Sequence, residues 1–119
     1  MEKVIFIETG TGIDVHGQDV NAAAIRAVDN AIHSNSMPGI GNMLPDGNIN
    51  KMEVLVKLAV PIDEEAINKS EIKERIPQGN VTVEVEKGGM ATSHGIYLEE
   101  HNDKSNLMYI VNAAIEVGY

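Results

Sequence analysis

Apolar positions along this chain follow two different periods. Lys3 to Glu8, Lys-Val-Ile-Phe-Ile-Glu, is a β-branched-rich run bounded by glycine, which predicts a first strand buried on at least one face. Val20, Ala24, Ala27, Val28, Ala31 and Ile32 then recur at spacings of three and four, predicting a helix from an Asp19 N-cap to about His33. Its small alanines suit close approach to a sheet. From Met52, the set Met52, Val54, Val56, Leu58 and Val60 alternates with Glu53, Leu55, Lys57 and Ala59, a second strand that Pro61 ends. Ala66 to Arg75 carries weak helical spacing at Ile67, Ile72 and Ile76 and is closed by Pro77 and Gly79. Val81, Val83 and Val85 against Thr82, Glu84 and Glu86 make a third strand with one wet face, ending at Gly88-Gly89. After a polar loop through Lys104, Leu107 to Val117 reads as a final strand in which only Asn112 breaks the apolar run.

The order is β-α-β-α-β-β. With too few crossover helices for a doubly wound sheet, it predicts an α+β fold: a four-stranded mixed or antiparallel sheet with two helices on one face, in a single domain over residues 1–119. The other sheet face is left without cover. Leu55 and Ala59 are apolar on the face opposite the Val54 set, so burial between subunits is the simplest solution, and a homo-oligomer, first of all a trimer, is expected. Ser34 to Asn50 has no period and is broken by Pro and Gly; a loop of that length in a small domain is expected to serve function.

Composition narrows the function classes. The 119-residue chain has no Trp, one Phe and three Tyr, so its core rests on Ile, Val, Leu, Met and Ala, and aromatic stacking platforms are scarce. A formal charge of −9 repels phosphate backbones and anionic headgroups, which argues against nucleic acid and membrane partners. The absence of cysteine excludes disulfides, thiolate zinc sites and a Cys nucleophile. The apolar core of Met1 to Glu8 is too short for a signal peptide and no stretch reaches the ~20 residues of a membrane helix, so a soluble cytoplasmic protein is expected.

The chemistry-bearing residues concentrate between Glu8 and Asp19, a segment expected to form the loop between first strand and helix. Glu8, closing the strand, is a candidate general base if burial raises its pKa, or a solvated surface carboxylate. Asp14, His16 and Asp19 are oxygen and nitrogen donors that suit a divalent metal, although their spacing matches no strict metal motif. The plainer alternative is an Asx turn at Asp14, a backbone contact at His16 and a helix cap at Asp19. Gly10, Gly12 and Gly17 can expose amides to an anion at the helix start, or simply shape the backbone. The dinucleotide fingerprint fails, because its third glycine would fall at Val15. Arg26 is a candidate to hold a ligand carboxylate or a neighbouring subunit's acid, or to form an ordinary surface ion pair. His94, in the loop after Gly88 and Gly89, is a candidate to meet the Asp14 to Asp19 segment, whereas His33 and His101 read as surface residues. Ser93 beside His94 does not form a nucleophile and base pair, since adjacent side chains diverge. Asn112 is a candidate ligand contact at a sheet or subunit seam, or a buried hydrogen-bonding group.

Several of these stretches together carry a resemblance. Gly10-Thr-Gly-Ile-Asp-Val-His-Gly-Gln-Asp19, Ala23 to Ile32, Asn35-Ser-Met-Pro-Gly39, Val60-Pro61, Gly88-Gly89 and Asn112 to Tyr119 resemble a conserved-hypothetical family of short bacterial and archaeal proteins, nearly end to end. That family has no established activity, so the resemblance implies no catalytic residues and leaves the cofactor unknown. The order of elements is also similar to one unit of trimeric chorismate-mutase-like folds, including the three-repeat ring-opening amidohydrolases that act on cyanuric acid and barbiturate. Those enzymes set serines beside paired glycines, with a lysine as activating partner. Here Lys87 precedes Gly88-Gly89, and Ser93 comes four residues after the pair.

Two function classes follow. One is an enzyme or binding protein for a small polar metabolite, with sites at subunit seams built around Glu8 to Asp19, the paired glycines and His94. The other is a structural or regulatory homo-oligomer without catalysis. A concave polar pocket joining His16 to Gly88 favours the first; a shallow loop with Asp19 spent as a cap favours the second.

Overall fold

Two long antiparallel strands frame the molecule. In the computed structural model, which describes all 119 residues, β1 (Val4–Asp14) pairs with β5 (Leu107–Gly118) from Val4 opposite Gly118 to Asp14 opposite Tyr109. On its other edge, β5 pairs with β2 (Glu53–Val60), antiparallel, and β2 pairs with β3 (Asn80–Lys87), parallel. A fifth strand, β4 (Met90–Ser93), lies in line with β2 and pairs with residues 107–110 of β5. The architecture is α+β with a mixed sheet of five strands, where the hydrophobic pattern predicts four. Only four residues long and polar at both Thr92 and Ser93, β4 has too little alternation to register as a strand.

One sheet face is covered. α1 (Val20–His33) lies across β1 and β5, and the short α3 (Lys69–Glu74) lies beside it, joined by Arg75 to Asp29 and by Asn21 to Glu71. Val54, Val56, Leu58 and Val60 meet Val111, Ala113, Ile115 and Val117 under the helices in a single cluster of 20 buried apolar residues. Each fully buried Val, Leu or Ile in it stabilises the fold by about 1.5–3 kcal/mol. The opposite face carries Ile7, Ile13, Leu55, Ala59, Met90 and Ile110 together with a Lys57–Glu116 ion pair, and no element covers it. Ile7 there is 61% exposed.

The first strand does not stop at Glu8. Thr9-Gly-Thr-Gly-Ile-Asp14 continues it, because Gly10 and Gly12 sit on the helix-facing side, directly under α1. A Cβ at Gly10 would overlap the Ala27 carbonyl and the Ala31 amide, and one at Gly12 the Ala23 carbonyl and the Ala27 amide. Two glycines spaced by two on the strand thus meet three alanines spaced by four on the helix, and backbone packs on backbone. A reading of Gly, Thr and Asp as turn formers misses this, since the constraint is supplied by the helix and not by the strand itself.

Other segments are also reshaped. Within 34–50 lie a one-turn helix, α2 (Ile40–Met43), and two 3₁₀ turns, Pro45–Gly47 and Ile49–Lys51. The helix expected over 66–75 is shorter, with a 3₁₀ turn at Glu64–Ala66 before an Asn68 cap starts α3. No helix is long and apolar enough to cross a membrane.

Candidate functional site

Glu8 and His16 stand at different places on the molecule. Six residue steps along extended β1 carry the chain from Glu8 to Asp14, about 20 Å at strand rise. The predicted loop from Glu8 to Asp19 is therefore mostly strand, and its residues divide between two sites.

At the first, Glu8 points to the helix-covered side opposite Ile115, beyond the stretch of β1 on which α1 packs. Ile32 and Asn35 wall one side of a cavity of about 220 Å³, Val54 and Val117 of the sheet floor it, and Met37, Ile40 and Ile49 of the long connection roof it. The lining is mostly apolar and contains no Lys, Arg or His. Glu8 is only 7% exposed, its carboxylate accepts no hydrogen bond from the chain, and burial pushes its pKa up from the ordinary value of 4.5. Asn35, at the rim, gives an amide N–H to the Ala31 carbonyl at 2.6 Å and keeps its side-chain oxygen as a further acceptor.

The second site gathers at the far end of β1. His16 Nδ1 lies 2.8 Å from Asp103 Oδ2, and because a carboxylate only accepts, Nδ1 is the donor. Asp103 is buried, which by itself favours its neutral form. The donors outweigh that: the Leu98 amide at 2.8 Å, His16, and the Gly17 amide at 2.7 Å, with the charge of a protonated His16, hold the carboxyl well below the usual carboxylate range. Gln18, also buried and at φ 45°, accepts from the Lys104 amide at 2.6 Å and donates to the Leu107 carbonyl at 3.0 Å. Asp103 and Gln18 thus lock the 94–106 connection onto the turn before α1. Neither stood out in the sequence: Asp103 lies in a polar stretch of no period, and Gln18 carries no charge.

His94 meets this segment, its ring edge-on to His16 with centroids 5.4 Å apart and its Nε2 buried without a partner. His101 is exposed yet stacks beside His16 at 5.3 Å. An imidazole held by a buried carboxylate is equipped for acid–base work. No cavity of the single chain is lined by His16, and none joins it to Gly88.

The remaining candidates have local partners. Asp14 Oδ2 accepts from the Asp19 amide at 2.7 Å, Asp14 Oδ1 pairs with Arg26 at 2.9 Å, and Asp19 Oδ1 caps α1 through the Asn21 and Ala22 amides. These contacts form the turn and cap of the plainer reading, and His16 points away to Asp103. Arg26 also donates to the Ile13 carbonyl at 2.7 Å, and Asn30 Oδ1 accepts from the Thr11 amide at 2.9 Å, so α1 satisfies two outward groups of edge strand β1. Gly88 and Gly89 carry the chain from the lane of β3 into that of β2: Gly88 N donates to Val60 O, and a Cβ at Gly89 (φ 65°) would overlap the Ile110 carbonyl. Asn112 is exposed on the open sheet face, where its Oδ1 accepts from Thr11 Oγ1 at 3.3 Å.

Comparison with known proteins places these features in company. A family model described as "Conserved hypothetical protein (Lin0512_fam)" matches residues 4–117. Among solved structures, the crystal structure of an FtsZ-like protein of unknown function from Nostoc punctiforme is 40% identical, superposes with a TM-score of 0.82, and covers 97% of this chain and 93% of its own. No curated protein matches.

Proposed function

This chain belongs to the conserved hypothetical Lin0512 family, and from its geometry we propose that it is a small-molecule-binding protein whose ligand occupies the cavity over Glu8. The observation that carries the reading is a carboxylate that is only 7% exposed, meets no hydrogen-bond donor of the chain and opens into a mostly apolar cavity. A fold that keeps such a group beside open space gains when a ligand supplies the partner. The long 34–50 connection, which has no period of its own, serves in this reading as the roof.

The proposal extends to assembly. The uncovered sheet face, with Ile7, Ile13 and Met90 exposed on it, supports a homo-oligomer, a trimer in the manner of chorismate-mutase-like folds, and a neighbouring subunit would turn the shallow surface at His16 into an enclosed seam. Acid–base chemistry, if the protein is an enzyme, then falls to His16 oriented by Asp103. The competing reading is a structural or regulatory oligomer, favoured by Asp14, Asp19, Asp103 and Gln18 all being spent on turns and loops.

Native mass spectrometry of the protein after exposure to a small-metabolite extract tests the cavity. Wild type is expected to retain a small mass, and Ile32→Trp, which fills the cavity from its half-buried wall, to lose it with secondary structure and assembly unchanged. Retention by both proteins, or by neither, would overturn the reading.

A further inference from the structure

Resting on the cavity as the ligand site, we propose that its ligand class is an apolar primary amine, with the ammonium on Glu8 and the hydrocarbon body under Met37, Ile40 and Ile49. The one charged side chain at the site is an acceptor, and the neutral amides of Asn35 and Gln78 are the only other polar side chains that line it. Glu8 offers two carboxylate oxygens that no N–H of the chain reaches, and Asn35 offers its amide oxygen while donating to Ala31. An ammonium has three donors and no acceptor, so it answers this set without leaving a group of its own unpaired. A ligand carboxylate or phosphate would meet Glu8 as a like charge with no Lys, Arg or His in the lining to offset it. The chain as a whole, at −9, draws cations and not anions toward its surface.

Size and lining set the body of the ligand. A cavity of about 150 Å³ accommodates benzene, so the present cavity of about 220 Å³ has room for a six-membered ring or branched chain and a short aminoalkyl arm. A polyamine is a poor fit, because its second ammonium would lie among Val54, Ile115 and Val117 with no carboxylate. Arginine-like or quaternary heads fit less well too: no aromatic ring lines the cavity to cage them.

The test uses phenethylamine and its neutral isostere 2-phenylethanol as probes, titrated into the full chain while the methyl resonances of Ile32, Met37 and Val117 are followed by NMR. Wild type is expected to bind the amine at least about tenfold more tightly than the alcohol, and Glu8→Gln to bind the two equally, keeping the alcohol affinity of wild type. Equal affinities in wild type would overturn the amine assignment while leaving the cavity as a binding site. If neither probe moves those methyls, the cavity reading fails and the amine assignment with it. A preference for the amine that survives Glu8→Gln would also overturn it, since the selectivity would then come from another group.

Discussion

At the scale of single residues, the same amino-acid type serves opposite ends according to what faces it. Glycine in Gly10 and Gly12 is a packing residue, although a Gly-rich run beside Thr and Asp has the composition of a turn. Replacing Gly12 by Ala drives a methyl into the backbone of α1 at Ala23 and Ala27, where nothing flexible can yield. A loss of about 3 kcal/mol, the upper end for overpacking, is expected in denaturant unfolding, and a loss under about 1 kcal/mol would show that α1 can lift off β1 cheaply. Glu8 was legible as a residue whose chemistry depends on burial, but its burial was not legible. The cavity beside it is made by residues 24 to 109 positions further along the chain. Asp103 and Gln18 were invisible for a related reason: their importance lies in partners 86 to 89 positions away, at Gly17, Leu107 and Lys104.

At the scale of elements, periodicity located what was regular. α1 runs over Val20–His33 behind its Asp19 cap, and β2, β3 and β5 lie within a residue or two of where alternation puts them. It failed at β4 and at the second half of β1, where a strand holds its place by pairing with β5 and not by its own hydrophobic pattern. The two connections, 34–50 and 94–106, differ in what holds them. The first is held by apolar contacts over the Glu8 cavity, the second by Asp103. Since the folded-state pKa of Asp103 is depressed, its contribution to stability is present above the unfolded carboxylate value of 3.8 and is lost as pH falls below it toward the folded value. Hydrogen exchange at the Gly17 and Leu98 amides should therefore accelerate in wild type as pH is lowered through that range, after correction for intrinsic rates. Asp103→Asn should show fast exchange there already at neutral pH. Equal protection of those amides in the variant would mean that Gln18 alone holds the connection.

At the scale of the whole molecule, the sheet is covered on one side only, and the uncovered side exposes Ile7, Ile13 and Met90. If the chain assembles through that face, Ile7→Lys, at a position 61% exposed in the monomer, should shift sedimentation to a monomer without altering circular dichroism. An unchanged oligomer would place the interface elsewhere, and a monomeric wild type would remove it. The molecule measures 54 by 24 by 21 Å, so Glu8 and His16 belong to separate regions despite their closeness in sequence. The sequence by itself determined the α+β class, the side each residue of β2 and β3 takes, the capped helix and the acidic, cysteine-free composition, because these depend on local period, propensity and composition. Only the tertiary structure decided that Gly10 and Gly12 lie under a helix, that Glu8 opens into a cavity, and that His16, His94, His101 and Asp103 meet. Those facts depend on contacts between distant segments, whose geometry is fixed by close packing and which leave no periodic trace in either segment alone.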